Sequence, residues 1–308
     1  MKSINIDPIL NKHDLLYCNS WINTTSSIEY LNEYHLNEFK NLSFAIIDNE
    51  ITIISVISYS KNHVLSFFDN SVQVIESPKI SSDKINEAYK FVFKKILEFK
   101  NSGFIKINFD SNNYFLREYF NRLINKNNNY QFYIDLYESE DQIKKNVRKS
   151  FKSLINWGLR NLSIRVFDNT NISKSDFEAF RLFHFKIAGK ATRSKLSWDI
   201  QYKSVINSEG FLVMTYLDDL LVSGIYISTN ENQAYYGVSV NDRDLMKDNK
   251  PIGHATLFTS IIESKKRGKN IFILGDYNDA DDKNKNISNY KLGFTNRVRS
   301  VNSFTSHI

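Results

Sequence analysis

Two β-branched runs, each broken by a short acidic turn, constrain this chain more than any other feature. Residues 44–59 place two extended segments around Asp48, Asn49 and Glu50, and residues 211–226 repeat the design around Asp218 and Asp219. Runs of this kind joined by a short turn read as β-hairpins. Further along each half comes a helical stretch, 83–100 and 251–267, then a glycine and a short apolar strand ending at Asp110 or Asp276. In the first helix Ile85, Ala88, Tyr89, Val92 and Ile96 share one stripe. The separations are nearly constant: 167 positions from Phe44 to Phe211, 165 from Gly103 to Gly268 and 166 from Asp110 to Asp276. The pattern predicts an internal duplication of a hairpin–helix–strand unit. Chance agreement between two ordinary α/β runs is the competing explanation.

Strands alternating with helices predict a mixed sheet in each half. The fold class expected is α/β (α+β), with two tandem domains, 1–140 and 141–308, each a mixed β-sheet flanked by helices. The second would include a helical segment, 141–210. There Ile143, Val147, Phe151 and Leu154 form one stripe that predicts a helix ending near Gly158. Phe177, Phe180, Phe183, His184 and Ile187 mark a second helix, stopped by Gly189. Trp198, Gln201, Tyr202 and Val205 mark a third, stopped near Gly210.

A length of 308 residues suits two domains. The net charge of +6 suits a phosphate-bearing ligand, a nucleic acid or an anionic membrane surface, and selects none of them. A single cysteine, Cys18, excludes a disulfide framework and any CxxC metal site. The opening MKSINIDPIL is too polar for a signal peptide, and no window is apolar enough to span a bilayer. The expectation is a cytoplasmic protein whose membrane contact, if any, is peripheral.

The second half carries a distinctive order of segments. A basic stretch, residues 144–152, precedes His184 to Arg193, then Trp198 and Gln201. The hairpin follows, then Ala234-Tyr-Tyr-Gly-Val-Ser239, Pro251-Ile-Gly-His254, Phe272-Ile-Leu-Gly275 and Tyr290-Lys-Leu-Gly-Phe294. Over residues 141–299 this order resembles the FemAB-like branch of the GNAT acyltransferase superfamily. Proteins of that branch carry two such domains, so the first half would be a degenerate GNAT-like domain.

The resemblance implies transfer of an acyl or aminoacyl group to an amine. Donors in the branch include acyl-CoA and aminoacyl-tRNA, and acceptors include cell-envelope precursors. Direct attack by an amine requires that both partners be held in register, a proton be accepted and an oxyanion be stabilised. The central strand is expected over residues 235–240, with Gly237 permitting a bulge. On this reading the donor, acyl-CoA (acetyl-CoA), meets Val238, Val240, Arg243, Lys250 and Gly253. Residues 243–254 lack the glycine-rich pyrophosphate motif usual in acetyl-CoA-binding relatives, so side chains would have to replace backbone N–H groups there.

Asp276, His254 and Tyr235 are the catalytic candidates. Asp276 ends a strand, where α/β sites commonly form, although it also suits a cap on a loop spanning 277–286. His254 could relay a proton at its ordinary pKa, or be a surface residue at a helix start. Tyr235 is favoured for the cleft because Tyr236 shares parity with Ala234 and Val238. His184, Arg193, Trp198, Gln201 and Lys291 are candidates for the acceptor. Arg193 could grip a phosphate, and Trp198 with Gln201 a sugar or base. Asp279, Asp281 and Asp282 read as solvated carboxylates, so no metal is expected. Lys144, Arg148 and Lys152 form a basic stripe suited to tRNA or a nucleotide, or a solvated helix face.

Three functions follow: N-acylation of a nucleotide-linked amino sugar in surface-polysaccharide biosynthesis, aminoacyl-tRNA-dependent transfer to a peptidoglycan precursor, or an inactive GNAT-like binding module. No DNA partner is expected.

Overall fold

The computed structural model describes residues 1–7, 24–78, 81–121 and 123–308. Cys18 lies outside them. Its strands are β1 (Lys2–Asn5), β2 (Lys40–Asn41), β3 (Phe44–Asp48), β4 (Ile51–Ile57), β5 (Tyr59–Ser60), β6 (Val64–Leu65), β7 (Gln73–Glu76), β8 (Lys106–Asp110), β9 (Leu123–Asp135), β10 (Ser163–Phe167), β11 (Gly210–Leu217), β12 (Leu220–Thr229), β13 (Gln233–Asn241), β14 (Ile271–Asp276) and β15 (Val298–His307). The helices are α1 (Thr25–Tyr34), α2 (Ser82–Asn101), α3 (Tyr114–Tyr119), α4 (Glu140–Asn146), α5 (Lys149–Asn161), α6 (Lys174–Ala188), α7 (Lys195–Ile206), α8 (Arg243–Lys247), α9 (Ile252–Lys266) and α10 (Asp282–Leu292). The described residues fall into two compact units. The first holds the described residues within 1–18, 31–129 and 300–308, the second those within 19–30 and 130–299.

In the first unit β1, β3, β4 and β7 form an antiparallel sheet, and β8 pairs with β6 and β15. Helix α2 packs its apolar stripe of Ala88, Tyr89, Val92, Phe93 and Ile96 into a core with Phe44, Ile54 and Phe109. In the second unit the strand order is β10-β11-β12-β13-β14-β9. Only β13 and β14 pair in parallel there, because α9 carries the chain across between them. Both hairpins turn on two successive left-handed residues, Asn49 with Glu50 and Asp218 with Asp219. That is the twist a two-residue hairpin turn requires.

The second unit buries both faces of its sheet. Phe211, Val213, Ile225 and Ile227 meet Leu257, Ile261 and Phe294 on one face. Leu212, Met214 and Tyr226 meet Phe177, Phe180 and Trp198 on the other. A sheet covered on both faces reads as continuous apolar runs rather than strict alternation, as these hairpins do.

The structure corrects several sequence expectations. The basic helix is broken between α4 and α5, because Val147 is extended and Arg148 N–H donates to the Gly293 carbonyl at 2.8 Å. Lys144, Arg148 and Lys152 therefore do not share one helical stripe. Gly158 does not end its helix. It lets α5 approach α9, since a Cβ there would lie 2.5 Å from the Ala255 methyl. Segment 141–210 is not wholly helical, because β10 adds an edge strand against β11. The supposed loop 277–286 gives way to α10, which is capped when Asp281 accepts from Asn284 N–H.

Candidate active site

The site is built where two parallel strands part. The ladder between β13 and β14 covers only Gln233–Tyr235 against Ile271–Ile273, although β13 runs on to Asn241 and β14 to Asp276. Each strand also bulges on its outer side at this level. Gly237 is the extra residue of β13 against β12, and Leu274 that of β14 against β9. Bulges bend a strand and raise its twist, so the two bends turn the strands apart. The first also breaks the parity argument for the tyrosines: Tyr236 packs with Ala234 on one face, while Val238 and Val240 are buried on the other.

Beside the divergence lies a polar cluster. Gly275 has φ +96, and a Cβ there would lie 2.9 Å from Lys291 Nζ and 3.8 Å from Tyr235 Oη. Its missing side chain is the space in which those two groups converge. Lys291, in the last turn of α10, donates to the Asp276 backbone carbonyl at 3.3 Å. Burial pulls the Lys291 pKa below its ordinary value, against the opposing pull of Asp276. Burial, with Asp276 and Tyr30 beside it, pushes the Tyr235 phenol up to about 12, so it remains a proton donor at neutral pH. On β9, Gln131 Nε2 donates to Asp276 Oδ1 at 3.0 Å, and Arg299 donates to Gln131 Oε1 at 3.0 and 2.6 Å. Arg299 thereby fixes which way the amide faces. Neither Gln131 nor Arg299 stands out in the sequence as a site residue.

A cleft of about 920 Å³ runs from the unpaired half of β13 to α10. Of the expected residues it brings together His184, Val240 and Arg243, and it adds Tyr236, Lys283 and Tyr290. Its walls are largely apolar and its cations are Arg243 and Lys283, a composition common in small-molecule sites. Lys250 is exposed and does not line it. Gly253 has a packing reason, since a Cβ there would meet Asn241 Oδ1 at 2.7 Å. Its carbonyl accepts a hydrogen bond from Tyr290 Oη at 3.1 Å.

His254 stands in an aromatic box of Phe151, Tyr290 and Phe294, with ring centroids 4.5, 5.3 and 6.1 Å away. Burial pushes its pKa down to about 4. It is therefore neutral at physiological pH, which removes the argument that it titrates near 6.5.

Trp198 and Gln201 are 5% and 4% exposed. The Trp198 ring is edged by Phe177, Phe180 and His184, and the Arg193 guanidinium lies 4.7 Å from its centroid. Trp198 therefore backs the site rather than offering a face to a sugar or base. Arg193 Nη1 donates to Tyr30 Oη at 3.0 Å. Burial, and then Arg193, lowers the pKa of His184 at the cleft edge. Among the described residues no cluster of His, Cys, Asp and Glu could hold a metal ion.

No family model and no curated protein matches this sequence. The fold is nevertheless a mixed α/β architecture shared with solved Fem and GNAT structures, as the order of motifs implied. The chain is similar to FemX, with a TM-score of 0.71 over 100% of this chain and 98% of that one at 10% identity. It is also similar to L-PGS from Bacillus licheniformis, at 0.59 over 90% and 86% with 11% identity. A tandem GNAT protein from the clavulanic acid biosynthesis pathway gives 0.50 over 99% and 98% with 9% identity. At such identities the likeness establishes a shared fold.

Proposed function

We propose that this chain is an N-acyltransferase that moves an acyl group from acyl-CoA onto the amine of a cell-envelope precursor, a nucleotide-linked amino sugar. The observation that carries the reading is the convergence of Asp276, Lys291 and Tyr235 where β13 and β14 part. On this reading the donor lies along the unpaired half of β13, with its phosphates toward Arg243 and Lys283. Backbone N–H groups of β13 polarise the acyl carbonyl. The amine attacks that carbon, the carbon–sulfur bond breaks, and the amine proton passes to Asp276 Oδ2, since Gln131 occupies Oδ1. Lys291 offsets the negative charge that develops, and the neutral Tyr235 phenol donates to it. Arg193 and His184 contribute to the acceptor side. The first unit is a degenerate GNAT-like domain.

Transfer from aminoacyl-tRNA to a peptidoglycan precursor is the second reading. The likeness in fold to FemX favours it, and the break in the basic helix at Val147 and Arg148 weighs against it. Incubation with acetyl-CoA and a UDP-linked amino sugar, in parallel with aminoacyl-tRNA and a UDP-linked muropeptide, tests both. Acylated sugar in the first arm supports the proposal, and product in the second arm alone replaces it. Absence of product from both arms leaves the inactive binding module standing.

A further inference from the structure

The first unit has a crevice of its own. β7 follows the β3–β4 hairpin as β13 follows β11–β12, α2 stands to β7 as α9 stands to β13, and β8 follows α2 as β14 follows α9. In the second unit the counterpart strands pair over three residues before parting. In the first they lie in different sheets, β7 against β4 and β8 against β6 and β15. A cavity of about 370 Å³ lies between them, lined by Glu76 at the end of β7, Tyr89 on α2 and Asp110 at the end of β8. Asp110 is the residue that the 166-position offset pairs with Asp276.

The lining has a definite chemistry. Tyr89 is 1% exposed, and its hydroxyl donates to Glu76 Oε1 at 2.7 Å and accepts from Asn113 Nδ2 at 3.2 Å. Its ring stacks on Phe115 at 4.1 Å. Burial and the Glu76 carboxylate push the phenol's pKa up, so it stays a donor and holds that carboxylate in place. The cavity thus offers two carboxylates, the side-chain amides of Gln73, Asn112 and Asn113, and an aromatic wall. Among the described residues its lining includes no Lys, Arg or His, in a chain with 40 Lys and Arg against 34 Asp and Glu. Negative potential in a walled cavity favours a cation, and the amides suit hydroxyl or amine groups beside it.

We propose that this crevice is a second ligand site, one that binds a small protonated amine between Glu76 and Asp110. The site uses first-unit residues alone, so it does not depend on the transfer reaction. Calorimetric titration of the full chain at pH 7 with glucosamine, putrescine and N-acetylglucosamine tests it. The result expected is saturable binding of glucosamine or putrescine, weakened at least tenfold in both Glu76→Gln and Asp110→Asn, retained in Asp276→Asn, and absent for neutral N-acetylglucosamine. Which of the two amines binds distinguishes an amino sugar from a polyamine. Glu76→Gln keeps an acceptor for Tyr89, so it preserves the local fold. Absence of binding by either amine overturns the proposal. So does undiminished binding in the two first-unit variants, or loss of binding in Asp276→Asn.

Discussion

Lys291 Nζ reaches the Asp276 backbone carbonyl at 3.3 Å through space that Gly275 leaves empty. Three residues from the end of one strand and the end of one helix are thus mutually constrained. Gly275→Ala would put a methyl 2.9 Å from Lys291 Nζ and impose φ +96 on a residue with a Cβ. The expected cost is about 1–3 kcal/mol of stability, with transfer reduced at least tenfold. Urea denaturation and an acyl-transfer assay on the same protein check it.

Lys291 itself links charge to stability. Its folded pKa lies below its unfolded value because burial disfavours the ammonium. At pH below the folded pKa both states are protonated, and the folded state bears the whole penalty. As pH rises from the folded pKa to the unfolded one, the unfolded chain holds more proton and stability increases. Lys291→Met is therefore expected to melt higher than wild type at pH 7, by a margin that closes as pH approaches the unfolded pKa. Transfer in this variant is expected to fall about 100-fold. A lower melting temperature at pH 7 would argue against the buried charge.

His254 gives an acid-side signature. With a folded pKa of about 4 against 6.5 unfolded, the unfolded chain takes up protons first as pH falls. Stability is then lost between about pH 6.5 and 4, by on the order of 3 kcal/mol for a group this buried, and levels off below. In His254→Phe, which keeps the aromatic box, this loss over the window is expected to disappear. Melting temperatures from pH 4 to 7 measure the difference.

Much of this was legible in the sequence. The two hairpins, α2, α9 and the strands ending at Asp110 and Asp276 lie where apolar periodicity predicts them. What was not legible depended on distant partners. The break at Val147 is set by a hydrogen bond from Arg148 to Gly293, and local pattern cannot reveal it. One extra residue at Gly237 reverses the faces of every later β13 side chain, so Tyr236 keeps the face of Ala234 while Val238 does not. Gln131 lies on the face of β9 opposite the buried Phe132, Ile134 and Leu136, which alternation does indicate, but its partners Asp276 and Arg299 are 145 and 168 positions away.

Gly293 offers a test of that distant packing. A Cβ there would fall 1.9 Å from Phe151 Cε2, so Gly293→Ala is expected to cost about 3 kcal/mol by overpacking. Adding Phe151→Leu should recover part of the loss. Additive losses in the double variant, followed by chemical denaturation, would contradict the contact.

The Arg299, Gln131 and Asp276 chain fixes one carboxylate oxygen, and in the proposed mechanism the other takes the amine proton. Gln131→Glu replaces the amide donor with a second carboxylate. Transfer is expected to drop at least tenfold through kcat, with the acceptor KM changed less than threefold. A change confined to KM would place Gln131 in acceptor binding instead.

The most direct test of the central claim is mass spectrometric detection of acylated UDP-linked amino sugar after incubation with acetyl-CoA, for wild type and Asp276→Asn side by side. The account predicts product that accumulates with wild type and falls at least 100-fold with Asp276→Asn, at an unchanged melting temperature. Equal product from both proteins, or no acylated amine from wild type, would contradict it.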